Sequence, residues 1–273
     1  MAGKALTVSG SRTTGTKMKN NKSLGQHWLK NRVILDYIAD SARTTETSFV
    51  LEIGPGLGTL TSSLLKRFDK VIAVEYDERL AENLPKSFPG TNLEVINGDF
   101  LDFDLDNIKE PYVAVGNIPY YITSPIITKL LTAEHPPAKI VLLIQKEVAE
   151  RISAPAGKHT YLSLFVQNFA SVTLGDIIPR TEFTPPPKVD SQVIILTPHA
   201  PVIDDKTLAF AKIGFSQPRK KLSAGLSASY RLSKPEAREA LIRANLSPDA
   251  RPADLSHRDW QNLQKTLSKT LAK

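Results

Sequence analysis

Leu51-Glu52-Ile53-Gly54-Pro55-Gly56-Leu57-Gly58 reads as a strand running into a glycine turn, with a helix over Leu60–Arg67 following it. Glycines at such a turn let the backbone come close to a ligand, and the helix start offers free N–H groups. Two cofactor classes use this arrangement. The dinucleotide fingerprint is G-x-G-x-x-G. Here the spacing is G-x-G-x-G, and Thr59 stands where the third glycine of that fingerprint belongs. The spacing fits the loop that holds S-adenosylmethionine better, since that cofactor has no pyrophosphate to cradle. An ordinary tight strand–helix turn is the plain alternative.

Outward from this loop, short apolar runs alternate with helical stretches. Strands are predicted at Phe49–Ile53, Val71–Glu75, Leu93–Ile96, Tyr112–Val115 and Ile140–Ile144. Helices are predicted at Glu78–Lys86, Pro125–Leu131 and Glu147–Ile152, and Asn31 caps an earlier one through Val33, Ile34, Tyr37 and Ile38. This alternation implies a doubly covered, mostly parallel α/β sheet. A last strand, Gln192–Thr197, follows a proline-rich loop. Pro198 and Pro201 then mark a linker, and no strand pattern appears beyond it. Ser233-Lys234-Pro235-Glu236 is a capping box, and Ser256 opens a helix with Trp260, Leu263, Leu267 and Leu271 on one stripe. The expected organisation is a basic flexible tail over 1–22, a catalytic α/β domain over 23–199 and a small helical domain over 200–273.

Composition narrows the function. The 273 residues contain no cysteine, which removes disulfides, thiolate metal sites, iron–sulfur clusters and cysteine nucleophiles. No metal site is expected. The net charge of +7 is unevenly spread: residues 1–35 carry +7, residues 36–199 carry −7 and residues 200–273 carry +7. Two basic flanks around an acidic middle suit a polyanionic partner, nucleic acid ahead of membrane. The longest aliphatic run, Ile140–Ile144, is far too short to span a bilayer, and a cytoplasmic protein is expected.

The chemistry-bearing residues fall at predicted strand ends. Glu75 can accept hydrogen bonds from both hydroxyls of a ribose, in either cofactor class. Asp99 can accept from an adenine amine, with Phe100 flanking the ring. Gly116-Asn117-Ile118-Pro119-Tyr120-Tyr121 follows the fourth strand, at the edge where open α/β sheets bind ligands. An adenine exocyclic amine is a poor nucleophile, because its lone pair is delocalised into the ring. The Asn117 oxygen and the backbone carbonyl of Ile118 or Pro119 can accept its two hydrogens and localise that pair. Tyr120 can stack on the base, and its ring face favours a nearby sulfonium. Catalysis would then be mostly positioning.

On these residues the chain resembles the ribosomal RNA adenine dimethyltransferases, over roughly residues 20 to 265. Leu24-Gly25-Gln26-His27-Trp28-Leu29 is similar to the family's N-terminal segment, and Glu52–Gly56 to its glycine loop. Asn117-Ile118-Pro119-Tyr120, Gln145–Arg151 and the proline-rich Phe183–Ser191 are similar to further family motifs. The resemblance implies a class I S-adenosylmethionine-dependent methyltransferase fold. It implies that His27, Leu29, Gly54, Glu75, Asp99 and Asn117 meet the cofactor. It implies that Asn117 also meets the target amine, and that Phe183 stacks on the target base opposite Tyr120.

Two subfamilies remain open. One dimethylates two adjacent adenosines in the 3′-terminal hairpin of small-subunit (16S) rRNA, linked to maturation of that subunit. The other modifies one adenosine of large-subunit rRNA and confers macrolide resistance. Phe215–Leu222 and Arg251–Ser256 resemble the first. The partner implied is small-subunit rRNA in a pre-ribosomal 30S particle, bound by a monomer. Arg219, Lys220 and Lys221 would hold phosphates, which give affinity without reading bases. There are departures: Trp28 replaces the usual Phe, Tyr121 stands where Asn is common, and Pro218 replaces a basic residue. A non-catalytic assembly factor and a nicotinamide dehydrogenase are the rival readings.

Overall fold

The computed structural model describes residues 27–271, so the predicted basic tail over 1–22 lies outside the described residues. The main sheet has seven strands, in the order β4-β3-β2-β5-β6-β9-β7. Their ranges are β2 Phe49–Ile53, β3 Lys70–Glu75, β4 Leu93–Asn97, β5 Val113–Asn117, β6 Lys139–Gln145, β7 Ala170–Ile178 and β9 Ser191–Pro198. Strands β4, β3, β2, β5 and β6 pair in parallel, and β9 runs antiparallel to both β6 and β7. The predicted mostly parallel α/β sheet is therefore present. A separate two-residue ladder joins β1 (Trp28–Leu29) to β8 (Phe183–Thr184).

The strands are apolar on both faces because helices cover both. Successive side chains of a strand point to opposite sides, and neighbours along each strand accordingly divide between two cores. Leu51, Ile72, Ala114 and Leu142 face one core, which α4 (Thr123–Leu131), α5 (Lys146–Ile152) and α6 (Tyr161–Phe169) cover. Val50, Val71, Val113 and Val141 face the other, which α1 (Arg32–Ser41) and α2 (Thr61–Leu64) cover. Helix α3 (Glu78–Ser87) connects β3 to β4 and buries Leu80, Ala81 and Leu84. Asn31 caps α1 as predicted, its side chain accepting the Val33 N–H at 3.1 Å.

After β9 the described chain is helical: α7 (Asp205–Gly214), α8 (Leu222–Tyr230), α9 (Lys234–Arg243) and α10 (His257–Leu271). Ser233 and Glu236 form the expected capping box of α9. These helices pack around Trp260, which is fully buried and meets Phe210 edge-on at 5.7 Å between ring centroids. Leu164 of α6 belongs to the same cluster, so the helical part is fastened to the sheet's outer helix layer. Among the described residues no helix is long and apolar enough to cross a membrane.

Three expectations need correction. The helix predicted over Leu60–Arg67 is α-helical only at Thr61–Leu64. Around it the bonds tighten to i→i+3, as from Ser63 to Leu60 and from Arg67 to Leu64, in a stretch with poor helix formers at Thr61, Ser62 and Ser63. The fourth predicted strand, Tyr112–Val115, instead covers Val113–Asn117, so Asn117 ends a strand, opposite Leu143. Strand β7 and helix α6 were absent from the sequence reading. β7 is an edge strand with a register shift between Leu174 and Ile177, so its exposure does not alternate cleanly.

The glycine turn separates two kinds of constraint. Gly54 (φ +66°) and Gly58 (φ +76°) both need left-handed backbone. A Cβ at Gly54 meets nothing within 4 Å, whereas one at Gly58 would stand 2.5 Å from Leu84 and 2.8 Å from Phe88. Gly54→Ala should cost roughly 1–2 kcal/mol, from backbone strain alone. Gly58→Ala should cost about 1–3 kcal/mol more, from crowding. Urea unfolding of both variants checks this order, and equal costs would contradict it.

Candidate active site

Between β2 and β5 the strand order reverses. The connection leaving β2 passes to α2 on one face, and the one leaving β5 passes to α4 on the other. Among the described residues no helix closes over the carboxyl ends at that point, which is where open α/β sheets leave a crevice. Here it is a cavity of about 370 Å³, within the range of small-ligand sites.

The glycine loop forms one wall. Gly54 N–H donates to Val74 O at 3.0 Å, and Gly56 N–H donates to Glu75 Oε2 at 2.9 Å. The other oxygen of Glu75 accepts the Asp77 N–H at 2.8 Å. Burial pushes the Glu75 carboxyl above its ordinary range, partly offset by the N–H groups of Asp77 and Gly56. A carboxylate has lone pairs beyond these two bonds, so Glu75 can still accept from a ligand. Asp99 and Phe100 line the cavity beyond β4. Asp99 Oδ1 accepts the Leu101 N–H at 2.8 Å, and Lys129 of α4 donates to Leu101 O at 2.8 Å.

Asn117 sits on the opposite wall with its amide polarity defined. Its Nδ2 donates to His27 O at 3.2 Å. A carbonyl oxygen can only accept, so the side-chain nitrogen faces His27 and Oδ1 remains for another donor. His27 is held in turn: its Nδ1–H donates to Pro185 O at 2.7 Å. The β1–β8 ladder supports this bridge, pairing Leu29 with Phe183. Leu29, Pro119 and Tyr121 also line the cavity.

Beneath the glycine loop lies Glu52, 1% exposed on β2. Thr61 lies beside it and lowers its pKa, although no hydrogen bond of good geometry reaches either oxygen. Burial first, with the nearby Glu75 charge, outweighs Thr61 and pushes the Glu52 carboxyl up to about 8. A carboxyl buried this fully is costly to ionise. Glu75 and Asp99 give the cavity acidic groups at its nucleoside side, while Glu52 keeps its proton at neutral pH.

The family profile described as ribosomal RNA adenine dimethylase matches residues 17–269. The chain belongs to this family. It is 36% identical to ribosomal RNA small subunit methyltransferase A of Dehalococcoides mccartyi, covering 91% of this chain and 89% of the relative. It is 39% identical to the protein of the same name from Nostoc sp., covering 92% and 98%. Among solved structures, a dimethyladenosine transferase from Plasmodium falciparum aligns with TM-score 0.76 and 32% identity, over 89% of this chain and 98% of that one. The 23S rRNA methyltransferase ErmE aligns with TM-score 0.70 and 29% identity, over 88% and 99%. The protein is thus an rRNA adenine dimethyltransferase with the α/β methyltransferase fold, and its reaction needs a methyl donor.

The cavity brings together His27, Leu29, Gly54, Glu75, Asp99, Asn117 and Pro119, all singled out in the sequence. Tyr120 opens the 3₁₀ turn Tyr120–Ile122, and its side chain lies outside what the structure describes. Phe183 departs from expectation. Its ring is 3% exposed and packs into the core beneath α1, outside the residues that line the cavity, because the aromatic ring is taken up by the apolar cluster of α1 and the sheet. Arg219, Lys220 and Lys221 lie apart from the cavity, between α7 and α8, all exposed. Lys221 pairs with Asp249 at 2.9 Å, and Arg238 shares that carboxylate.

Sequence reading gave no role to Glu52, Tyr76 or Tyr121. The signal for Glu52 was available: it is the one charged residue in Phe49–Ile53, and such residues are rarely buried without a purpose.

The Glu52 carboxyl yields a signed prediction. Its folded pKa is about 8, against 4.5 for the free group. Between these values the folded protein holds a proton that the unfolded chain has lost, so stability falls as pH rises across that window. Glu52→Gln should flatten that fall, by at most about 1.4 kcal/mol per pH unit. Urea unfolding of both proteins near the two ends of the window measures it, and parallel pH profiles would refute the assignment.

Proposed function

We propose that the enzyme uses S-adenosylmethionine to dimethylate two adjacent adenosines in the 3′-terminal hairpin of small-subunit (16S) rRNA. In this reading it acts as a cytoplasmic monomer on a pre-ribosomal 30S particle. The observation that carries the chemistry is the fixed amide of Asn117: nitrogen to His27, oxygen left for the incoming amine. The small-subunit choice draws support from the relatives named above, whose identity to this chain exceeds that of the large-subunit enzyme.

The cavity fits this cofactor. Bound there, S-adenosylmethionine would supply an activated methyl group on a cationic sulfonium. The Glu52 carboxyl, protonated at neutral pH, presents both a donor and an acceptor to its methionine end, near Gly54, Leu29 and the backbone of His27. Glu75 keeps lone pairs for ribose hydroxyls, and Asp99 beside Phe100 suits an adenine. Tyr76, 63% exposed after Glu75, offers a ring face on the same side.

The target base enters from the Asn117 wall. Asn117 Oδ1 accepts one amine hydrogen and thereby localises the nitrogen lone pair. The second hydrogen needs a backbone carbonyl. Pro119 O already receives the Ile122 N–H, but through a long bond of 3.3 Å that leaves a lone pair. Asn117 is anchored before substrate arrives, so little ordering remains to be done at the moment of transfer.

The helical part over 200–273 would hold the RNA. Arg219 and Lys220 have no acidic partner among the described residues and are free for phosphate, whereas Lys221 is already engaged with Asp249. Phosphate contacts of this kind position RNA without reading its sequence.

Asn117→Ala should lower methyl transfer about 100-fold or more, the scale for losing one preorganised hydrogen-bonding group, while RNA binding stays near wild type. Single-turnover assays with labelled cofactor, beside an RNA binding titration, measure the two. Equal loss of both would contradict the assigned role. Mapping dimethyladenosine in cells with and without the protein tests the substrate. Adjacent dimethyladenosines in small-subunit rRNA are expected, and label confined to large-subunit rRNA would overturn the choice.

A further inference from the structure

Tyr121 is not used by the chemistry above, yet its position is unusual. It lines the cavity while remaining 66% exposed. Among the described residues, Tyr76 is the other strongly exposed large side chain that lines the cavity. The two stand on opposite sides of the glycine loop. Tyr76 follows β3, on the side of Glu75 and Asp99, and Tyr121 belongs to the turn after β5, with β2 between them. Tyr76 therefore flanks the nucleoside end of the cofactor site, and Tyr121 flanks the entrance used by the target base.

A tyrosine ring carries a large apolar face that gains by being covered. At this entrance, a nucleic-acid base can cover it. When one adenosine is turned into the cavity beside Asn117, the next nucleotide stays outside at the mouth. Base–aromatic stacking is tolerant of base identity and strong enough to hold such a neighbour. Phe183, the ring first expected to meet RNA, is buried, which leaves Tyr121 as the available stacking surface among the described residues of this wall. We infer that Tyr121 stacks on the base adjacent to the target adenosine, and so holds one of two neighbouring adenosines while the other is methylated. This rests on the rRNA reading above.

The test uses the full chain and two reconstituted small-subunit particles, whose 3′-terminal hairpin carries beside the target either an adenosine or an abasic site. Wild type should show a lower KM for the base-bearing RNA, and Y121A should lose that advantage. The expected rise in KM is about 5- to 150-fold, with kcat and cofactor affinity at wild-type level. Y121F, which keeps the ring, should retain the preference. On the abasic RNA, wild type and Y121A should coincide. Equal KM of wild type for the two particles overturns the inference, whatever the variants do. An equal penalty of Y121A on both RNAs, or a matching loss of cofactor affinity, also overturns it. If wild type methylates neither particle, the rRNA reading falls together with the inference, whereas methylation of both at equal KM removes the inference alone.

Discussion

A sheet that reverses its strand order cannot be covered everywhere. In this protein the chain leaves β2 toward α2 on one face and leaves β5 toward α4 on the other. The carboxyl ends of those two strands are therefore left open. The consequences reach most of the site. The glycine loop ends β2, Glu75 ends β3, and Asn117 ends β5. Their mutual positions are set by ladder hydrogen bonds of the most buried strands. The two cores, which hold these strands rigid from both sides, contribute to function by fixing where strand ends lie.

This crevice has a distinctive electrostatic character. Three acids line it, and their environments differ. Glu75 is buried but receives two backbone N–H groups. Asp99 receives one. Glu52 is the most buried, and burial outweighs the neighbouring Thr61, so its proton is held far above the ordinary carboxylate range. The net acidity of residues 36–199 thus has a local counterpart in Glu75 and Asp99, while the basic residues Arg219 and Lys220 of the helical part are exposed. In the proposed reading, this separation lets one chain take a cationic methyl donor and an anionic RNA at different places.

How much of this was legible in the sequence follows from what sets each feature. Strands covered on both faces must be apolar runs, so Phe49–Ile53 and Ile140–Ile144 announced themselves, and β6 extends the latter by one residue at each end. The edge strand β7 is under no such demand: one side is open and a bulge breaks its alternation, so Ala170–Ile178 carries no pattern. Asn117, Glu75 and Asp99 were legible because strand–loop junctions recur in sequence order. The ladder between Trp28–Leu29 and Phe183–Thr184 was not, since it joins segments more than 150 positions apart, with nothing local to signal it. Phe183 lies in the core because its ring joins the apolar cluster beneath α1, a packing partner that its own segment does not announce.

The same long-range pairing bears on why an amide suits position 117. The anchor is a carbonyl, that of His27, and requires a donor. In the proposed mechanism the incoming amine requires an acceptor. Asparagine presents both on one short side chain. Aspartate would set a carboxylate oxygen against the His27 carbonyl, losing the anchor, and would add charge to a cavity already holding Glu52, Glu75 and Asp99. Glutamine would keep both groups but add a methylene and a further rotatable bond, loosening the aim of the oxygen. Aim matters more than basicity here, because the acceptor need only hold a hydrogen while the nitrogen lone pair turns toward the methyl group. In that mechanism Asn117 keeps its aim because His27 is itself fixed by Pro185, next to the paired strands β1 and β8.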